Sequence, residues 1–345
     1  MGTNTNPLYG RHLLTLLDYT PEEIHLLLNL SASLQRERKL GKEKTRLKGK
    51  AIALIFEKAS TRTRCAFELG AAHQGAWSTY LGPTGTHIGS KESIADTARV
   101  LGGMFDAIQY RGFAQSTVEE LAEHAGVPVY NGLTDQYHPT QILADLMTMK
   151  QSCDKPLSEQ TLVYLGDGAN NMANSLMIGS AKMGIDFRLA CPESYRPEHD
   201  LVEKCRGLAE STGGRISMSD QPDEAVQGAD FLCTDVWLSM GHAKEEWAER
   251  LELLLPYRVD DRLMKATGNP QAKFLHCLPA YHDRNTPSGQ EFFESHGLTG
   301  IEVSDDVFES EHSVVFAESE NRLHTIKALM VATLCQDISD IDVES

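Results

Sequence analysis

Ser60-Thr61-Arg62-Thr63-Arg64 places three hydroxyls and two guanidiniums in one unbroken run. Hydroxyls donate single hydrogen bonds, and an Arg fork grips an oxyanion in bidentate fashion. The chemistry such a run suits is the holding of a phosphate. Its setting strengthens that reading. Ala51 to Phe56 is a short apolar run that predicts a buried strand, and Cys65 to Ala72 predicts a helix. The run therefore sits where a strand hands over to a helix, whose first turn offers N–H groups and the positive end of the dipole. A Ser N-cap followed by a solvated turn would explain any one of these residues, but five polar residues after a buried strand favour an anion site.

Further polar residues fall at the predicted carboxyl ends of strands, where open α/β sheets bind ligands. In the first half these are Arg111 and the pair His138 and Gln141. Arg111 alone reads equally as a strand terminus, and His138 and Gln141 as a cap and a surface residue. In the second half they are Asn170 and Asn171, Asp235 to Gly241, and His276 to Pro279. Taken singly, Asn171 suits a turn, Asp235 an N-cap and Cys277 a small buried residue. His276 and Cys277 lack a second pair at ligand spacing, which argues against zinc. Gly166-Asp167-Gly168 follows a predicted strand, but a dinucleotide loop would need Gly where Asn171 stands.

Composition limits the alternatives. With 345 residues, 41% hydrophobic and 23% charged, the chain suits two globular domains. A net charge of -17 disfavours nucleic-acid and anionic-membrane partners. The seven cysteines show no regular spacing, which suits reduced thiols in the cytoplasm. Met1 to Asn6 reads as carrying no apolar signal core, and no apolar run reaches membrane-spanning length.

The elements needed to position these residues are legible. Thr20-Pro21-Glu22-Glu23 predicts a capping box ahead of a helix with Ile24, Leu27, Leu28 and Ser31 on one face. Ser90 is expected to cap a helix running through Ile94, Ala98 and Leu101. Strands are expected at 106–110, 128–132, 161–165, 187–190, 231–234 and 273–277, and a helix opens at His138-Pro139. The alternation predicts an α/β protein with two doubly wound parallel-sheet domains and an active site in the cleft between them. The expected divisions are residues 1–150, 151–318 and a C-terminal helix at 319–345 returning to the first domain.

In order along nearly the whole chain, these motifs resemble the aspartate/ornithine carbamoyltransferase family, and most closely its bacterial-type ornithine carbamoyltransferases. The matching stretches are Ser60 to Arg64, Tyr110-Arg111-Gly112, His138 to Gln141, Asn170-Asn171-Met172, Asp235 to Gly241, His276 to Pro279 and Glu320-Asn321-Arg322. The resemblance implies transfer of a carbamoyl group from carbamoyl phosphate to the δ-amine of L-ornithine, giving L-citrulline and phosphate, with no metal or cofactor. It implies that Ser60, Thr61, Arg62 and Thr63 hold the phosphate, and that Arg111, His138 and Gln141 hold the carbamoyl oxygen and amide. Asn171, Asp235, Ser239 and Met240 would bind ornithine, and Cys277, Leu278 and Arg322 would complete the reacting centre. It further implies a cytoplasmic homotrimer or an assembly of trimers with active sites at subunit interfaces. There a neighbouring subunit supplies the residue at the position of His87, with Lys91 one turn beyond. Two other classes remain open: a nucleotide-dependent oxidoreductase using the Gly166 loop, and a non-catalytic amino-acid-binding protein.

Overall fold

Among the described residues nine parallel strands form two sheets. β1 (Ala51–Phe56), β2 (Trp77–Leu81), β3 (Ala107–Arg111) and β4 (Val129–Leu133) make the first, in the order β2-β1-β3-β4. β5 (Thr161–Leu165), β6 (Asp186–Ala190), β7 (Arg215–Ser219), β8 (Phe231–Thr234) and β9 (Lys273–His276) make the second, in the order β7-β6-β5-β8-β9. The structure is a computed structural model, and it describes residues 6–84, 92–237 and 244–342. The chain divides into two compact units, Met1–Met147 with Glu320–Ser345, and Thr148–Ser319. The predicted α/β class with parallel sheets is what the structure has.

Sheet order fixes where a ligand can bind. In the first unit the chain moves from β1 out to β2, then crosses back to β3 and β4. In the second it moves from β5 out through β6 and β7, then crosses back to β8 and β9. The order therefore reverses between β1 and β3, and again between β5 and β8. At such a reversal the two flanking connections leave on opposite faces and open a crevice beyond the carboxyl ends. The Ser60 run follows β1 and Arg111 ends β3 in the first unit. In the second unit Asn171 follows the β5 loop and Asp235 follows β8 directly.

The central strands are apolar on both faces because both are covered. In β1, Ala53 and Ile55 pack with Ile108, Tyr110, Val118, Leu121 and Val129, while Ile52, Leu54 and Phe56 are equally buried on the other side. Each such aliphatic or aromatic side chain contributes about 1.5–3 kcal/mol on burial. In the second unit Val163, Leu165, Leu232 and Phe274 anchor a core with Trp237, Leu254 and Tyr257.

Helix α1 (Pro21–Lys39) starts at the predicted capping box: Thr20 accepts from the Glu23 N–H and Glu23 reaches back to the Thr20 N–H. Ile24, Leu27, Leu28 and Ser31 form its buried face. Helix α2 (Thr61–His73) begins four residues earlier than expected, because Ser60 is a true N-cap accepting from the Thr63 N–H. Helix α3 (Ile94–Gly102) is capped by Ser93; the expected cap Ser90 lies outside the described residues. Helix α4 (Gln115–Ala125), α5 (Pro139–Ser152) and α6 (Asn171–Met183) follow. The final helix runs Val315–Leu334, starting before the expected residue 319 and ending well short of residue 345.

Candidate active site

In the first unit Thr63 is the hub. Its side chain is fully buried, and its hydroxyl oxygen accepts from Arg111 Nη1 at 3.3 Å and Arg322 Nη2 at 2.8 Å. With both lone pairs engaged by guanidiniums, the hydroxyl proton is left to point elsewhere, toward any acceptor the site receives. Ser60 has the same logic: its oxygen caps the Thr63 N–H at 3.3 Å, which leaves the O–H as a donor. Thr61 and Arg62 form the first turn of α2, where backbone N–H groups lie outside the helical ladder. The run is thus both an N-cap and a nest of donors.

Two side chains hold the end of β3 in place. The Tyr110 hydroxyl donates to Glu57 Oε2 at 2.6 Å and accepts from the Phe113 N–H at 3.3 Å. A Cβ on Gly112 would collide with both the Tyr110 hydroxyl and Glu57, so the turn that carries Arg111 requires glycine there. His138, almost fully buried, immediately precedes α5. Burial, reinforced by Arg322, Arg111 and Arg62, holds its imidazole well below the usual histidine range. The ring is therefore neutral at physiological pH, one nitrogen donating and one accepting. Three guanidiniums around a neutral imidazole make a locally cationic pocket in a molecule of net charge -17. Arg64 does not share it; it lies exposed on α2, bonded to Glu68 at 2.9 Å and stacked on Tyr80.

The second unit gathers a different set. β8 pairs with β9, Thr234 opposite His276, so Asp235 and Cys277 leave the sheet side by side. Cys277 Sγ donates to Asp235 Oδ1 at 3.2 Å, and the Val236 N–H donates to the same oxygen at 2.7 Å. Asp235 keeps some accessible surface, yet its carboxylate is ringed by protein, and that desolvation raises its pKa. His276, the Cys277 bond and the Val236 N–H oppose the rise, while Glu302 adds to it. Leu278 is the one non-glycine residue at positive φ among the described residues, at 58°, a conformation unusual for a branched side chain. It is held there by its N–H donating to His276 Nδ1 at 2.9 Å. Behind it, His276 Nε2 faces Glu302 Oε1 at 3.4 Å, both side chains fully buried, and Glu302 accepts from the Tyr281 N–H at 2.7 Å.

Asn170 caps α6 through the Ala173 N–H and donates to the Tyr164 hydroxyl at 2.8 Å, leaving Asn171 at the first helical position. The Gly166 loop has a packing reason for glycine: its φ is 115° and a Cβ would strike the Trp237 indole. Asp235, His276 and Cys277 also present donor atoms within 4.8 Å of one another, as do His282, Asp283 and Asp305. In the first trio the thiol is bonded to the carboxylate and His276 Nδ1 accepts from Leu278, so these atoms serve one another.

Ser60, Thr61, Arg62, Thr63, Arg111, His138, Gln141 and Arg322 all belong to the first unit. Asn171, Asp235, Cys277 and Leu278 belong to the second. His87, Lys91, Ser239 and Met240 lie outside the described residues. Sequence reasoning gave no part to Glu302 or Asp145, because a lone acid between apolar neighbours carries no spacing signal.

One parallel-sheet unit carries a cationic nest of donors and the other a carboxylate–thiol pair, an arrangement suited to a group-transfer enzyme. Residues 11–151 match the family model for the aspartate/ornithine carbamoyltransferase carbamoyl-P binding domain, and residues 158–333 that for the Asp/Orn binding domain. The chain belongs to the aspartate/ornithine carbamoyltransferase family and is a carbamoyltransferase. Among solved structures it is similar to ornithine carbamoyltransferase from Pyrococcus furiosus, at 41% identity and TM-score 0.86 over 95% of this chain and 98% of that one. The ornithine carbamoyltransferase of Gloeobacter violaceus is 35% identical with TM-score 0.80, covering 95% and 99%. The anabolic enzyme of Campylobacter jejuni is 35% identical with TM-score 0.81, covering 93% and 97%. Among the described residues no helix is long and apolar enough to cross a membrane.

Proposed function

We propose that this carbamoyltransferase uses L-ornithine as its acceptor, converting carbamoyl phosphate and ornithine to L-citrulline and phosphate. The observation that carries the choice is Asp235. A carboxylate at the carboxyl end of β8, bonded to Cys277, offers a partner for an α-ammonium. Aspartate would instead need extra cations for its second carboxylate where this chain has His276-Cys277-Leu278-Pro279. Putrescine has neither α-group, and an N-acylated ornithine lacks the ammonium. The ornithine carbamoyltransferases to which the chain is similar support the same acceptor. The bacterial-type affinity has the Gloeobacter and Campylobacter likenesses in its favour, beside a higher identity to the Pyrococcus enzyme.

In this reading Ser60, Thr61, Arg62 and Thr63 take the phosphate, with His87 joining from a neighbouring subunit of a cytoplasmic trimer. Arg111, His138 and Gln141 take the carbamoyl group, beside Arg322. As the δ-nitrogen bonds to the carbamoyl carbon, negative charge builds on the carbonyl oxygen. Arg111, His138 and the Thr63 hydroxyl are donors suited to it, and one such donor is typically worth about 10²–10³ in rate. The C–O bond to phosphate then breaks, and Arg62 and the α2 N-terminus stabilise the departing charge.

The amine must first lose a proton. An alkyl ammonium has a pKa of about 10.4, so only about one molecule in 10³ is neutral at pH 7, a cost of roughly 4–5 kcal/mol. A desolvated site rich in guanidinium lowers that cost. Asp235 and Cys277 are the groups placed to accept or relay the proton, while Asn171, Ser239 and Met240 hold the α-carboxylate and α-amine. A citrulline assay with carbamoyl phosphate and a panel of ornithine, putrescine, aspartate and lysine tests the reading. Turnover confined to ornithine is expected; turnover of aspartate in its place would replace it.

A further inference from the structure

We infer that Asp145 is a positioning residue that fixes which end of the Gln141 amide faces the carbamoyl group, and so selects an acyl group bearing N–H over one bearing a methyl. This rests on the reading of the first unit as a carbamoyl phosphate site.

Gln141 and Asp145 stand four apart on α5, stacked on one face of the helix. Both are fully buried, and Gln141 Nε2 donates to Asp145 Oδ1 at 2.7 Å. A primary amide has two nearly isosteric ends, one donating and one accepting, and little but its neighbours decides which way it lies. An ionised carboxylate only accepts, so it takes the NH₂ end and turns Oε1 away. The end presented to the ligand is then an acceptor.

A carbamoyl group differs from an acetyl group in carrying NH₂ where the other carries CH₃. An acceptor facing that position bonds the first and is stranded against the second. Were the amide turned over, it would meet the carbamoyl nitrogen donor to donor. Leaving a buried polar group without its bond is the costly outcome, at about tenfold in affinity or more. Asp145 thereby sets the polarity of the reading without touching the ligand.

The test uses the full chain and three probes: carbamoyl phosphate as substrate, with acetyl phosphate and inorganic phosphate as competing inhibitors. In the unaltered enzyme, acetyl phosphate should bind at least about tenfold more weakly than carbamoyl phosphate. In Asp145→Asn the new amide can donate or accept, so residue 145 no longer dictates which end of the Gln141 amide it meets. The gap should then narrow to under about threefold, while inhibition by inorganic phosphate stays unchanged. A purely structural role for Asp145 would weaken all three together and leave the gap intact, which overturns the inference. If Asp145→Asn fails to fold, Gln141→Met serves, with the same narrowing expected and an unchanged gap contradicting it. An unaltered enzyme that turns over carbamoyl phosphate yet shows no gap sinks this inference alone; one that cannot use carbamoyl phosphate with any acceptor defeats the site reading as well.

Discussion

The thiol of Cys277 and the carboxylate of Asp235 meet at 3.2 Å, each the first residue beyond its strand on the neighbouring pair β8 and β9. Sheet register alone brings them together, so neither depends on a flexible loop for its partner. Replacing Cys277 by Ser keeps a donor but changes its acidity by several pKa units. If the pair handles the acceptor's proton, kcat/KM for ornithine should fall by about 10²-fold and the apparent pKa of the pH profile should move. A profile unchanged in both would remove Cys277 from the role.

Asp235→Asn separates function from stability. Turnover of ornithine should fall by about 10²-fold or more, while KM for carbamoyl phosphate shifts less than about threefold. Burial raises the Asp235 pKa, so the folded state holds this proton more tightly than the unfolded chain. Stability from this group is present below the unfolded value and is lost as pH rises through the folded one. At neutral pH the ionised form is therefore a burden, and the amide variant should melt no lower than the parent. Equal losses for both substrates would contradict the acceptor assignment.

Thr63→Val keeps shape and deletes the oxygen that Arg111 and Arg322 share. The kcat should drop by about 10²–10³. Denaturant titration should show a loss of about 1–3 kcal/mol from the stranded guanidinium donors. Loss of stability without loss of rate would reduce Thr63 to a packing residue.

His138 should show no titration between pH 5.5 and 8 when its ring is followed by NMR, since burial and three guanidiniums hold it neutral. The folded chain then binds fewer protons here than the unfolded one, whose histidine has a pKa of about 6.5. Its contribution to stability is present above that value and is lost as pH falls toward the folded one. A ring that titrates near 6.5 would contradict the buried, cationic setting.

Lys327 is fully buried and pairs with Glu43, which also accepts from Gln74 at 2.9 Å and from Arg38 at 3.3 Å. Lys327→Met should cost about 3–5 kcal/mol, because it leaves a largely buried carboxylate without its main partner. Adding Glu43→Gln should recover part of that in a double-mutant cycle. Additive losses would show the two residues to be uncoupled.

What the sequence discloses and what it hides divide along physical lines. The interior strands β1, β5 and β8 are apolar on both faces and were legible as runs. β2 and β7, Trp-Ser-Thr-Tyr-Leu and Arg-Ile-Ser-Met-Ser, are half polar and only partly buried, and they escaped notice, whereas the other two edge strands, β4 and β9, are mostly buried and were legible. Ser60 to Arg64 stood out because five polar residues in a row follow an apolar strand, and the structure does gather Arg111 and Arg322 on Thr63. Asp145 and Glu302 were not, since a single acid gains meaning only from the partner that folding gives it: Gln141 for one, His276 and the Tyr281 N–H for the other.

The bond from Arg322 to Thr63 spans 259 positions of the chain. A ribosome releases residues in order, at about 5–20 per second. The first unit's sheet is complete once Leu133 has emerged, yet Arg322 arrives a further 189 residues later, roughly 10–40 s on. During that interval the intervening second unit can fold while the first still lacks one of its donors. The full set of guanidiniums around Thr63 is thus withheld from the growing polypeptide until synthesis is nearly finished.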